Sequence, residues 1–196
     1  MKYHSKKAFT LIEALIAISI LMVALVSPLT IVKKALVTAA LSQDQMTASF
    51  LAQDAIEAVK NIRDKTAINE TTGDWLVGLE SCMCTDTDAN CGNFVTYCNI
   101  DTTIKDLSSG AVYASTSASV NPLKTETAVD GDGNLIFIRY NLSSGTDSKF
   151  SRQINIKKSS DNANEALIRT RVYWTSGIGV QRIDINNFIY NFSENL

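Results

Sequence analysis

Residues 6–34 read KKAFTLIEALIAISILMVALVSPLTIVKK, and the reading of this stretch decides the fold. From Ala8 to Val32 there is a single charge, Glu13. A helix of that length is roughly 37 Å long and exceeds the ~30 Å hydrocarbon core of a bilayer, so the stretch is expected to span a membrane. Residues 1–7 carry three lysines and no acid, which points the N-terminus toward the cytoplasm. Lys33 and Lys34 close the far end. Glu13 does not fit a plain anchor. A carboxylate at membrane depth costs roughly 2.5–3.5 kcal/mol on insertion scales, so it needs a partner or a function. An ordinary secretory signal, with a shorter apolar core and a small-x-small cleavage site, leaves it equally unexplained.

The run Lys6-Lys7-Ala8-Phe9-Thr10-Leu11-Ile12-Glu13 resembles the processing motif of type IV prepilins and type II secretion pseudopilins. In that family a prepilin peptidase removes a short basic leader on the cytoplasmic side, and the new amino terminus is N-methylated. The resemblance implies cleavage between Ala8 and Phe9, methylation of Phe9, and retention of Glu13 as the acid at the fifth mature position. Ala8 stands where the family's commonest residue is Gly. The resemblance further implies a subunit held in the inner membrane before joining other pilin or pseudopilin subunits in an extracellular or periplasmic filament. There Glu13 would meet the Phe9 amine of a neighbour and fix axial register. Buried together, the two charges offset each other's desolvation, which gives specificity more than stability. Pro28 lies inside the span, where it removes a donor to the carbonyl of Ala24 and is expected to kink the helix.

From Lys33 to Lys65 the chain has no Pro or Gly and is rich in good helix formers. Leu51, Ala55, Ala58, Val59 and Ile62 recur at helical spacing, with Ala48 and Phe50 nearby, while Asp54, Glu57, Lys60 and Asp64 fall mostly on other faces. One helix from Phe9 to Lys65 is therefore expected, apolar all round in its first half and amphipathic in its second. Residues 52–64 also resemble the corresponding stretch of PilV-like minor pilins.

Residues 67–133 read as a polar connection with short strands at most, such as Asn93–Cys98 and Ala111–Ser115. All four cysteines, Cys82, Cys84, Cys91 and Cys98, fall here. An even number in an exported segment points to disulfides. Cys82–Cys84 is disfavoured by its one-residue loop. Cys82–Cys98 with Cys84–Cys91, and Cys82–Cys91 with Cys84–Cys98, both stay open. A zinc site built from all four thiolates is the alternative, but the spacing departs from the usual pairs. Asp86, Asp88 and Asn90, and likewise Asp130, Asp132 and Asn134, have the oxygen spacing that opens a calcium loop. Neither run has the required glycine, and turn chemistry accounts for both.

Residues 134–196 alternate in strand fashion over Leu135–Leu142, Phe150–Lys158, Ile168–Thr175 and Val180–Tyr190, with turn residues between. Ile168, Thr170, Val172 and Trp174 share one face, and Arg169, Arg171 and Tyr173 the other. Short connections favour an antiparallel meander covered by the amphipathic half of the helix, an α+β pilin-like architecture. The closing R-V-Y-W, turn, V-Q-R-I-D-I order is similar to that of PilV-like pseudopilins. Arg139, Arg152, Arg169, Arg171 and Arg182 are expected on a solvated sheet face, paired with acids.

The organisation expected is thus a leader at 1–8, a span at 9–33, an amphipathic half-helix at 34–66, a cysteine-bearing connection at 67–133 and a meander at 134–196. Hydrophobic residues at 45% and charged residues at 19% exclude wholesale disorder. A net charge of −2 argues against a nucleic-acid partner. The lone histidine, His4, lies in the leader, so imidazole-based catalysis and metal binding are absent from the processed chain. No cofactor is implied. A filament subunit is the leading reading; a membrane-tethered adhesin or sensor that never polymerises is the alternative.

Overall fold

The structure, a computed structural model, describes residues 10–69, 74–84, 94, 96–104, 112–115 and 121–192. The chain divides into two compact units, Met1–Gln43 and Asp44–Leu196. Helix α1, Leu11–Asn69, begins in the first and ends in the second. It runs past the expected end at Lys65, because no helix breaker precedes Gly73 and the Thr66 hydroxyl donates back to the Ile62 carbonyl at 3.0 Å.

In the second unit α1 presents a stripe of small and branched side chains to a sheet. Ala48, Leu51, Ala52, Ala55, Ile56, Ala58, Val59 and Ile62 are all buried. The alanines let the backbone approach closely; the branched residues fill the gaps. Phe50, expected near this stripe, is exposed instead. A short 3-10 helix, Glu80–Cys82, follows. Just before it Trp75, Leu76 and Leu79 enter the same core.

Among the described residues the sheet has eight strands. They are β1 Met83–Cys84, β2 Tyr97–Ile100, β3 Val112–Ser115, β4 Pro122–Val129, β5 Leu135–Asn141, β6 Thr146–Lys158, β7 Glu165–Ser176 and β8 Gly179–Tyr190. β6 is the hub. One of its edges is paired with β7 from Phe150 to Lys158. The other is shared by β4 near Thr146 and Ser151, β2 at Ile154 and β1 at Ile156 and Lys157, the last in parallel. β6, β7 and β8 follow the expected meander. β5 does not lie beside β6, because β4 stands between them. Residues 67–133 therefore supply half of the strands rather than a mere connection. β3 falls on the expected strand Ala111–Ser115, and β2 overlaps the end of the expected Asn93–Cys98. β1 and β4 lie outside the expected segments, and β4 evades period-two reading because it buries only Leu123 fully. β7 alternates as expected, with Ala166, Ile168, Thr170, Val172 and Trp174 buried.

The passage from β5 to β6 must cross β4 in the four residues Leu142–Gly145. Asp101, fully buried, holds this crossing: its carboxylate accepts from Leu142 N–H at 3.1 Å and from both Thr103 N–H at 3.1 Å and the Thr103 hydroxyl at 2.6 Å. Gly145 has φ +103, and a Cβ there would collide with the Thr125 carbonyl of β4. Below it sits Arg152, expected on a solvated face and found instead 2% exposed. Its guanidinium donates to Asn99 Oδ1 at 3.0 Å, the Leu51 carbonyl at 3.0 Å, the Ile100 carbonyl at 2.5 Å and Asp54 Oδ2 at 3.2 Å. Burial pulls its pKa below the ordinary guanidinium value, and Asp54 and then Asp101 oppose that shift. One side chain thus ties α1, β2 and β6 together, with its charge hydrogen-bonded as burial requires.

Two outcomes follow, both measured by urea denaturation of the detergent-solubilised full-length chain. Gly145→Ala should cost roughly 2 kcal/mol or more, since strain and collision act together. Arg152→Ala should cost about 3–5 kcal/mol, whereas Arg139→Ala, which removes a half-exposed 3.3 Å pair with Glu126, should cost under about 1 kcal/mol. Equal losses from Arg152→Ala and Arg139→Ala would contradict this account of the core.

Candidate processing and assembly segment

Ala8 and Phe9, the residues flanking the expected cleavage, lie outside the described residues. The structure picks up the chain at Thr10, which caps α1. The Glu13 N–H donates to the Thr10 carbonyl at 3.1 Å and reaches the Thr10 hydroxyl at 3.4 Å, and the Ala14 N–H donates to the same carbonyl at 3.2 Å. Thr10 is therefore the N-cap and Glu13 the third helical residue, the spacing of a capping box. A carboxylate in the first turn is also favoured by the helix dipole. This is a second physical reason for an acid at this place. Its signal in the sequence is the T-x-x-E spacing, which the processing motif alone does not bring out.

Beyond Glu13 the helix is apolar and uncovered. Leu11, Ile12, Leu15, Ile16, Ile20 and Leu21 are all at least half exposed, and the same holds through Leu36 for every large apolar residue the segment carries. Two of its hydroxyls are satisfied internally. Ser19 donates to the Ile16 carbonyl at 2.8 Å, and Thr30 to the Ser27 carbonyl at 2.7 Å. Such back-bonding suits a segment with no water to satisfy its polar groups. Pro28 lies within α1, which continues through it as one element. This is the one helix among the described residues long and apolar enough to cross a membrane.

The remaining residues singled out by sequence fall in the second unit. Cys82 and Cys98 form a disulfide with Cα atoms 4.6 Å apart. Both side chains are fully buried, so the bridge staples the 3-10 helix to β2 inside the core. That is the first of the two pairings left open. Cys84 is also disulfide-bonded; Cys91 lies outside the described residues, as do Asp86, Asp88 and Asn90. Asp130, Asp132 and Asn134 form the exposed β4–β5 turn. There Asp130 Oδ1 accepts from Asp132 N–H at 3.0 Å and Asn134 N–H at 2.7 Å, and Oδ2 from the Asn134 side-chain amide at 3.0 Å. Asn134 first, and then the turn amides, hold the Asp130 carboxyl below its ordinary pKa. The Asp130 carboxylate, first of the three spaced like calcium ligands, is thus spent on the turn itself. Among the described residues no cluster of three or more His, Cys, Asp or Glu is placed to hold a metal. Of the other arginines expected on that face, the mostly buried Arg171 donates to Asp184 at 2.6 and 3.0 Å, the half-exposed Arg139 meets Glu126 at 3.3 Å, and the exposed Arg182 lies 4.0 Å from Asp184.

Residues 3–27 match the family model of the prokaryotic N-terminal methylation motif. No curated protein and no solved structure matches the chain. The matched residues include Lys6 and Lys7, Phe9, the cap at Thr10, Glu13 and most of the uncovered apolar helix. By that match the chain carries the type IV prepilin signature, which indicates a type IV pilin-like or pseudopilin precursor.

Proposed function

We propose that the chain is a structural subunit of a type IV pilus or type II secretion pseudopilus, a minor pilin of the PilV-like kind. Prepilin peptidase cuts between Ala8 and Phe9 and the new Phe9 amine is methylated. Until then the apolar segment of α1 holds the precursor in the inner membrane with its N-terminus in the cytoplasm. The subunit then passes into a filament through the same segment. Glu13 pairs there with the Phe9 amine of a neighbouring subunit and sets register. The division into leader 1–8, span 9–33 and amphipathic half 34–66 belongs to this reading. The role is structural, and no catalytic residue is assigned.

The observation that carries the reading is the conjunction of the methylation motif with an apolar helix that the other described residues leave uncovered. Only lipid or other apolar helices can cover that surface. Mass spectrometry of the mature protein should find a methylated N-terminal Phe9 with residues 1–8 removed. An intact Met1 terminus would favour the tethered adhesin or sensor instead. Glu13→Ala should leave membrane insertion intact and abolish recovery of the subunit in sheared filaments; undiminished recovery would sink the register role.

A further inference from the structure

We propose that the open edge of β8 pairs with β8 of a second copy of this chain, antiparallel and centred on Ile183. Among the described residues β8 pairs with β7 alone, in unbroken register from Glu165↔Tyr190 to Ser176↔Gly179. It is 12 residues long and contains no Pro and no Lys. The usual devices that blunt a sheet edge, proline, lysine and bulges, are therefore missing. Ser176 and Gly179 face each other across a two-residue turn, so they form a hydrogen-bonded pair. Alternation along an antiparallel ladder then turns the backbone groups of Gly179, Gln181, Ile183, Ile185 and Asn187 to β7. Those of Val180, Arg182, Asp184, Asn186 and Phe188 face the open edge. The side chains of this second set are exposed, Val180 at 72% and Phe188 at 55%. The open run ends at Phe188, because the Tyr190 carbonyl accepts from Arg63 Nη1 at 3.4 Å.

Charge selects the register. Arg182 opposite Arg182, or Asp184 opposite Asp184, sets like charges across the ladder, which is unfavourable. Centring on Ile183 sets Arg182 opposite Asp184 of the second copy, and the two-fold repeats that contact. The same register places Val180 opposite Asn186 and exposed Ile178 opposite exposed Phe188. It joins two open-edge residues at each bonded position, giving about eight backbone hydrogen bonds from Val180 to Asn186. Asp184 is already oriented by Arg171 at 2.6 and 3.0 Å, so little side-chain freedom is lost on pairing.

The proposal is independent of the filament reading, and sedimentation of the full chain in detergent tests it. The unmodified chain should form dimers. Arg182→Asp alone and Asp184→Arg alone should each weaken the dimer on the order of tenfold or more, and an equimolar mixture of the two should restore it. Glu13→Ala should leave the dimer unchanged, which separates this contact from one made by the apolar helix. Circular dichroism checks that each variant is folded; if Asp184→Arg is not, Arg182→Asp and Arg182→Ala decide between them. A chain that stays monomeric up to about 100 μM, or a dimer as tight in Arg182→Asp as in the parent, overturns the proposal.

Discussion

Between Leu11 and Val37 the helix turns its large apolar side chains outward, and the chain supplies nothing to cover them among its described residues. Burying a single Leu or Ile side chain is worth about 1.5–3 kcal/mol. Leaving this whole segment in water would cost on the order of tens of kcal/mol, more than the entire net stability of an ordinary domain. The other described residues leave that cost unmet, and the proposed role assigns the cover to lipid or to like helices. The same demand explains why its hydroxyls fold back on their own carbonyls and why its one acid stands in the first turn, where the unpaired amides and the dipole favour it.

The second unit answers to a different constraint. The alanines that make up half of the buried helix face let it pack closely on the sheet but add little contact area of their own, since each Cβ is small. Polar ties supply the specificity. Arg152 reaches from β6 to a helix carbonyl, to Asp54 and to β2, and Asp101 fixes the crossing that feeds β6. The Cys82–Cys98 bridge secures the remaining flank. These groups define where α1 sits along the sheet, which the smooth alanine stripe by itself does not.

What is legible in the sequence and what is not divides along physical lines. The apolar segment and its acid are legible because membrane solvation selects composition over many consecutive residues. β7 and β8 are legible because one face is buried and the other wet, which writes period two into Ile168, Thr170, Val172 and Trp174. β2 is legible only as the end of the expected Asn93–Cys98, because Tyr97, Cys98, Asn99 and Ile100 are all buried and burial on both faces erases alternation. β4 is obscured because its one fully buried side chain, Leu123, lies among the half-buried Lys124, Thr125 and Glu126. Arg152 cannot be told from Arg169 or Arg171 by neighbours in sequence, since its partners Leu51, Asp54 and Asn99 come from distant segments. In the first unit the motif at Phe9–Glu13 is readable, whereas the cap at Thr10 hides within it, because the resemblance to the processing motif already accounts for Glu13. The cysteine spacing excludes one pairing and cannot rank the other two.

The hub position of β6 also governs how the chain matures in time. β1, β2 and β4 lie upstream of β6 yet pair with it across dozens of residues, so none of them completes its hydrogen bonding until that strand has been delivered. Folding rates fall as such sequence-distant pairings accumulate, because chain closure entropy comes due before contacts reward it. A chain that becomes free to fold in sequence order will therefore hold its cysteine-bearing stretch unprotected until the last third is delivered. Premature oxidation of the thiols competes with folding in that interval, so the speed of chain delivery becomes a determinant of the yield of correctly bridged protein.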